Sequence, residues 1–416
     1  MVLTMSEMTF PYKTVRDIDV QDKQILVRVD YNVPQTDDGR IADDFRIEAS
    51  LPTLNYLIER GAKIALISHL GRPDGQVQDK FSLAPVAVNL SSKLGRKVQF
   101  IPDCIGDTVK AATQDLAAGD VVLLENLRFH APEEKNDPDF ARALATDTAA
   151  EIFVQDGFGV VHRANASTVA ITEFLPSVAG LLVEKEYVEI KSATDDPARP
   201  LTAILGGAKI SDKIPLVKKF LDIADNVVVG GAMANNFLKF LGINVAASLV
   251  EPDQDDEIRA ILDLAHQKFG DAFDQKFILP TDVAIAPHGD PSEPRTEINL
   301  ADNPLYGEAK IFDIGSQTID RIDEIVKQSG TVIWNGTLGY AEEPEFAHGS
   351  ARLALMLAQH PEIASVIGGG DTADFVRNWD VKKGDSFTHV STGGGASLEL
   401  MAGDTLPGIA ALLPRD

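Results

Sequence analysis

Cysteine is nearly absent: Cys104 is the only one in 416 residues. A single thiol closes no intrachain disulfide and builds no thiolate zinc cluster, which fits a reducing compartment. Basic charge is outnumbered, with 38 Lys and Arg against 63 Asp and Glu and a formal net charge of −25. Nucleic acid and anionic membranes both need a concentrated basic face, so neither is expected as a main partner. No long acidic block is present either, so the acidity reads first as a well-solvated surface and second as a mark of a salty habitat. No apolar run approaches the ~20 residues of a membrane helix. The start, MVLTMSEMTFPYK, lacks a basic stretch followed by an apolar block, so no signal peptide is expected and the location reads as cytoplasmic; Met5 and Met8 are alternative starts. GxxxxGK[ST] occurs nowhere, which excludes a P-loop.

What is present is a globular composition, 44% hydrophobic and 24% charged, in a chain too long for one ordinary core. Two domains are the expectation. The second half is punctuated by glycine. VIGGGDTADF at 366–375 reads as a strand ending in Gly368, Gly369 and Gly370, followed by a helix. Without Cβ atoms that backbone can turn its N–H groups onto an anion at the helix's positive end, and Asp371 either caps the helix or holds a divalent metal. Apolar runs at 202–205, 227–229, 332–334 and 389–392 also close on polar or glycine residues: Gly206, Gly207, Ala208 and Lys209; Gly230 and Gly231; Asn335 and Gly336; Gly393, Gly394 and Gly395. Buried runs separated by helical period indicate parallel strands of an α/β sheet, whose ligands sit beyond the strands' carboxyl ends. A phosphate-bearing ligand is the leading expectation for this half.

The first half repeats the pattern with charged residues. Strands are expected at 24–29, 63–67, 121–124 and 152–155, with helices capped by Asp43 or Asp44 and by Ser82. Arg72, Arg128 and Arg163 each follow a different strand by a few residues, and a parallel sheet brings them to one rim with Arg46 nearby. Clustered cations repel unless an anion lies among them, and guanidinium forks suit carboxylate and phosphate. Arg46 lies in the first turn of its helix, where a cation opposes the dipole, which hints at another partner. His69 reads either as a structural residue or as a donor to the same anion. In GFG at 157–159 the third glycine of a dinucleotide fingerprint is missing, which argues against a Rossmann dehydrogenase.

A helical stretch at 181–193 followed by a proline-bearing loop to Pro200 marks the domain boundary and a hinge. Beyond it, a helix beginning at Ile210 would place Lys209 and Lys213 on one face, where like charges repel unless phosphate oxygens lie between them. Glu342, a short loop past Asn335, reads as a ribose contact or a solvated acid.

Eight motifs in order, VRVDYNVP at 27–34, SHLGRP at 68–73, ENLRFH at 125–130, FGVVHRANAST at 158–168, LGGAKISDK at 205–213, WNG at 334–336, GGGDTA at 368–373 and STGGGAS at 391–397, resemble the phosphoglycerate kinase family over nearly the whole chain. GLLVEKE at 180–186 resembles bacterial members. The resemblance implies a monomer of two doubly wound parallel-sheet, Rossmann-like α/β domains: 1–182 for 3-phosphoglycerate, a hinge at 183–200, 201–400 for nucleotide, and a tail at 401–416 returning to the first domain. It implies reversible, glycolytic phosphoryl transfer between 1,3-bisphosphoglycerate and ADP, giving 3-phosphoglycerate and MgATP, by in-line transfer after hinge closure.

Residue by residue, Asp30, Asn32, Arg46, His69, Arg72, Arg128 and Arg163 match the substrate site. Arg46, Lys209, Lys213 and the Gly393, Gly394 and Gly395 amides match groups on the moving phosphoryl. Gly207, Ala208, Lys213, Gly230, Gly231, Asn335, Glu342, Gly369, Gly370, Asp371 and Thr372 match the nucleotide site, with Asp371 linked to Mg²⁺. The chain departs from the family pattern at Ala232, Thr337 and Ala341, all expected to border the adenine and ribose. Two other classes are a catalytically retired relative, disfavoured because every charged site residue is present, and another carboxylate kinase, disfavoured by the arginine cluster and SHLGRP.

Overall fold

Short apolar runs in the first part of the chain form six strands: β1 (Gln24–Arg28), β2 (Lys63–Ile67), β3 (Val98–Ile101), β4 (Val121–Leu124), β5 (Ile152–Gln155) and β6 (Ser177–Ala179). They are seen in a computed structural model that describes residues 8–36, 38–302 and 305–415. All pair in parallel, in the order β3-β4-β2-β1-β5-β6. Successive side chains of a strand point to opposite faces, so β1 sends Ile25 and Val27 into one core and Leu26 into the other, and β2 divides Ile64 and Leu66 from Ala65 and Ile67. Both faces are therefore covered, as a parallel sheet with crossover helices requires.

The caps refine the expected helix starts. The first crossover helix is Phe45–Glu59, and it is Asp43 whose carboxylate accepts from Phe45 N at 2.8 Å. Asp44 holds the cap position but turns its carboxylate to Asn89 and Lys93. Ser82 Oγ accepts from Ala84 N, so the next helix begins two residues later, at Ala84, and stops at the left-handed Gly95.

The later strands are β7 (Leu201–Leu205), β8 (Asn226–Val229), β9 (Phe277–Ile278), β10 (Asp282–Ala286), β11 (Thr296–Asn299), β12 (Lys310–Ile314), β13 (Thr331–Asn335), β14 (Ala364–Gly368) and β15 (His389–Val390). Six form a second parallel sheet, β15-β14-β13-β7-β8-β9. The other three form a small antiparallel sheet, β11-β10-β12, that the sequence pattern did not suggest. It is pinned from within: Arg295 donates to Asp313 at 2.8 Å with both side chains buried, and Asp313 also accepts from Gly349 N at 3.0 Å in the helix His348–Gln359.

The helix expected from Ile210 starts instead at Ile214 and runs to Ile223, with Lys213 as its N-cap. Glu251 takes both the backbone N–H and the hydroxyl of Ser211, which holds 210–213 in a turn. Pro215, lacking an N–H, is tolerated only in the first helical turn. Lys209 and Lys213 therefore do not share a helix face.

The chain forms two compact units, Thr9–Val188 with Thr405–Asp416, and Glu189–Asp404. The helix Leu181–Asp195 passes from one to the other. The closing segment is bonded into the first unit through Gly408 N to Val161 O, Leu413 N to Ser177 O and Lys13 N to Leu413 O, all at 2.8 to 2.9 Å.

Candidate active site

In the first unit, the parallel order puts the carboxyl ends of β4, β2, β1 and β5 side by side, and each delivers polar groups to one rim. Asp30 and Asn32 follow β1, His69 and Arg72 follow β2, Arg128 follows β4 and Arg163 follows β5. Arg46, from the first turn of its helix, donates to Asp30 Oδ2 and to Asn32 O, both at 3.1 Å, which supplies the partner its unfavourable position called for. Asn32 Oδ1 accepts from Gly71 N at 2.8 Å, and Arg128 Nη1 donates to Gly71 O at 2.9 Å. Three strand ends are thus cross-linked through one glycine loop.

The electrostatics are those of an anion site. Burial alone would raise the Asp30 carboxyl, but Arg46 and Arg28, with the Asn32 N–H, bring it down to about 2. Burial lowers the Arg128 pKa; Glu134 opposes this and repulsion from Arg163 adds to it. Arg72 and Arg163 are exposed at the rim, the latter donating to His162 at 3.1 Å. A cluster so arranged relieves its own repulsion by taking a carboxylate or phosphate between its members.

Beneath the rim lies a layer that motif reading missed. Arg28, fully buried at the end of β1, donates to Ser167 Oγ at 2.9 Å, to Val29 O, and to His69 Nδ1 at 3.2 Å. Ser167 donates in turn to Glu133, through its hydroxyl at 2.6 Å and its N–H at 3.0 Å. The signal was visible as a cation inside the apolar strand QILVRV, because a charge there must have a buried partner.

In the second unit, a cavity of about 670 Å³ opens beyond the carboxyl ends of β7, β8 and β13. Of the expected nucleotide residues, Gly207, Ala208, Gly231, Glu342 and Asp371 line it, as do Ala232, Thr337 and Ala341. Two glycines at this strand-end junction are required by close backbone approach: a Cβ on Gly206 would lie 2.2 Å from Thr337 O, and one on the cavity-lining Gly231, at φ +62°, would lie 2.6 Å from Gly207 N. Gly230 lies behind the lining, where a Cβ would strike Leu338.

Lys213, Asn335, Gly369, Gly370 and Thr372 are not among the residues that line the cavity. Lys213 donates to Asn335 Oδ1, and burial lowers its pKa to about 8 against the pull of Asp212 and Asp371. Asn335 Nδ2 is buried without a partner. Thr372, 1% exposed, accepts from Gly336 N at 2.7 Å, so its hydroxyl ties the first turn of its helix to the loop after β13 instead of facing solvent. Asp371 does not cap its helix: Gly369 holds the N-cap, and Asp371 lies exposed in the first turn of Gly370–Trp379. Gly393 caps the helix Gly394–Ala402, and a Cβ on Gly394 would lie 3.0 Å from Gly370 N. Two helix N-termini therefore converge, concentrating free N–H groups and positive dipole ends where an anion would be favoured. Lys209 is exposed; it adds a minor pull to the Glu251 carboxyl, whose pKa is lowered chiefly by its bonds to Ser211.

Among the described residues, one other group brings metal-ligating atoms together: those of Asp103, Cys104 and His130 lie within 4.8 Å of one another. His130 bonds directly to Asp103 at 2.8 Å, and burial holds the Cys104 thiol well above its ordinary pKa, the properties of a hydrogen-bonded pair beside a core residue.

Two α/β units, one with an arginine-lined rim and the other with a glycine-walled cavity beside converging helix N-termini, define a small-molecule phosphotransferase built without a P-loop. Comparison narrows the class. The family model "Phosphoglycerate kinase" matches residues 15–404. Curated phosphoglycerate kinases from Pelotomaculum thermopropionicum and Desulforudis audaxviator are 44% and 45% identical over 403 residues, spanning 97% of this chain and 99% of each relative. Solved phosphoglycerate kinases from Coxiella burnetii and Pyrococcus horikoshii superpose with TM-scores of 0.83 at 34% and 31% identity, covering 96% of this chain and 98% of theirs. The chain belongs to the phosphoglycerate kinase family. Among the described residues, no helix is long and apolar enough to cross a membrane.

Proposed function

We infer that the chain catalyses reversible phosphoryl transfer between the acyl phosphate of 1,3-bisphosphoglycerate and ADP, the glycolytic reaction yielding 3-phosphoglycerate and ATP. The observation that carries the reading is family membership over residues 15–404 together with the bonded rim of Asp30, Asn32, Arg46 and Arg128.

The roles follow from the chemistry. In the ATP-consuming direction the nucleophile is already a carboxylate, so no general base is needed, and catalysis consists of in-line positioning and charge stabilisation. Asp30, Asn32, His69, Arg72, Arg128 and Arg163 hold 3-phosphoglycerate. Arg46, Lys209, Lys213 and the Gly393, Gly394 and Gly395 amides face the moving phosphoryl. Gly207, Ala208, Gly230, Gly231, Asn335, Glu342, Gly369, Gly370 and Thr372 shape the nucleotide site. The exposed Asp371 carboxylate, at a helix N-terminus beside the cavity, is a hard oxygen donor of the kind Mg²⁺ takes while keeping most of its waters. Bound with the nucleotide, Mg²⁺ would neutralise phosphate charge.

The first unit is the substrate domain and the second the nucleotide domain. Closure about the 183–200 segment brings the ligands together and excludes water, which would otherwise hydrolyse ATP. A cytoplasmic monomer with no nucleic-acid or membrane partner completes the reading.

The test is ATP-dependent 1,3-bisphosphoglycerate formation with 3-phosphoglycerate and Mg²⁺, coupled to NADH oxidation. Arg46→Ala and Lys213→Ala are each expected to lower kcat by ~10²–10³-fold, the cost of removing one transition-state charge partner. An intact, folded protein that binds ATP without turnover would overturn the reading and direct attention to Ala232, Thr337 and Ala341.

A further inference from the structure

His69 is 4% exposed, and its ring faces four charged groups: Asp30, Arg28, Arg128 and Arg46. Its Nδ1 has two candidate partners. Asp30 Oδ1 lies at 3.9 Å, beyond hydrogen-bond reach, whereas Arg28 Nη2 lies at 3.2 Å. The choice of partner decides where the ring carries its hydrogen.

A guanidinium has five donors and no acceptor, and it does not lose its proton in a protein. Its contact at 3.2 Å is therefore a hydrogen bond only if Nδ1 presents a lone pair, and the neutral ring must then carry its hydrogen on Nε2. An Nδ1–H would set two donors against each other in a dry site, and an imidazolium would add a further cation to the three arginines against the single acid. Among the described residues Nε2 has no hydrogen-bond partner, which leaves it free for a ligand.

Arg28 itself cannot swing away. Its Nε is bonded to Ser167 and its Nη1 to Val29 O, and Ser167 is held by both oxygens of Glu133. Arg28, Ser167 and Glu133 are each 0% exposed, so Glu133 supplies the buried counter-charge through one hydroxyl.

We propose that Arg28, fixed by Ser167 and Glu133, is a positioning residue that locks His69 in the neutral Nε2–H form, so that the ring meets the bound anion as a hydrogen-bond donor whose charge does not vary with pH. The buried relay thus adds a directed donor to the rim without adding a further like charge. It also keeps His69 from titrating across the neutral range, to which burial and the neighbouring arginines contribute. The anion in question rests on the reading of His69 as a 3-phosphoglycerate ligand; the tautomer does not.

Long-range ¹H–¹⁵N spectra of the ¹⁵N-histidine-labelled full chain test this directly, with His69→Gln to assign the signal. In the parent protein, His69 is expected to show the Nε2–H pattern from about pH 5.5 to 8 without titrating. In Arg28→Met the ring is expected to lose that pattern and titrate, its midpoint raised by at least about one pH unit as a neighbouring cation is removed. An Nδ1–H pattern or a titration within that range in the parent overturns the proposal whether or not the variant folds. So does a folded Arg28→Met protein whose His69 spectrum is unchanged. Adding 3-phosphoglycerate separates the two readings: a locked ring that does not respond to it leaves the tautomer standing and removes His69 from the substrate site.

Discussion

Lys213 carries a charge that is easier to lose than that of an exposed lysine. Burial lowers its pKa to about 8, with Asp212 and Asp371 opposing. The sign follows: below about pH 8 the ammonium is charged and attracts phosphate, and above it the attraction fades. The kcat/KM for ATP, which reports the free enzyme, is expected to fall as pH rises through about 8, approaching tenfold per pH unit. Lys213→Arg, which cannot deprotonate there, should start lower and stay flat across the same range. A parent profile level to about pH 9.5 would show that Lys213 does not set the nucleotide step.

The helix Leu181–Asp195 opens on a buried acid. Asp156 Oδ1 accepts from Thr53 at 2.9 Å and from Leu182 N at 3.0 Å, while Oδ2 is buried without a partner. Burial raises this carboxyl from 3.8 to about 8, although Thr53 and the N–H groups of Leu182 and Val183 pull the other way. Between about pH 4 and 8 the folded chain then keeps a proton that the unfolded chain has released, so this group's contribution to stability declines as pH rises through that window. Asp156→Asn imitates the protonated acid. Urea unfolding is expected to show the variant gaining on the parent by about 3–4 kcal/mol between pH 5 and pH 8. A constant offset at all pH values would mean that Asp156 is ionised throughout.

How far such elements could be read from the chain depended on how they are buried. β1, β2, β4 and β5 are apolar runs buried almost throughout and closed by polar residues, so their existence and the rim of arginines were legible. β3, as VQFI, exposes its second residue and gives no continuous run, and β6 and β9 are only three and two residues long. The antiparallel sheet was hidden because β11, TEIN, has no apolar face, and β12, KIFDI, carries the acid that pairs with Arg295. At the site, each cation could be located but not its partner: that Arg46 takes Asp30 and Arg28 takes His69 depends on the adjacency of β1 and β2 and on a helix returning over them.

At the scale of the molecule, the two tryptophans, Trp334 and Trp379, both lie in the unit Glu189–Asp404, so their fluorescence reports that unit alone. Leu406, Ile409 and Leu412 of the closing segment are 2 to 4% exposed. Burying three such side chains contributes about 5 kcal/mol, a large share of a domain's stability. Ending the chain before Thr405 is therefore expected to abolish or sharply weaken the circular-dichroism transition of the first unit while the fluorescence transition keeps its midpoint. If both transitions fell together, the segment's support would extend to the whole chain.

The first unit begins at Thr9 yet is completed only by Thr405–Asp416. During synthesis, the whole of Glu189–Asp404 must leave the ribosome before Leu413 can bond to Lys13 and Ser177. At ~5–20 residues per second this is a delay on the order of ten seconds or more. Throughout it the nascent first unit keeps an uncovered apolar seam, while the second unit already has every residue it needs. The unit made first is thus the one finished last, and the surface awaiting its final residues is where a chaperone would find the nascent chain.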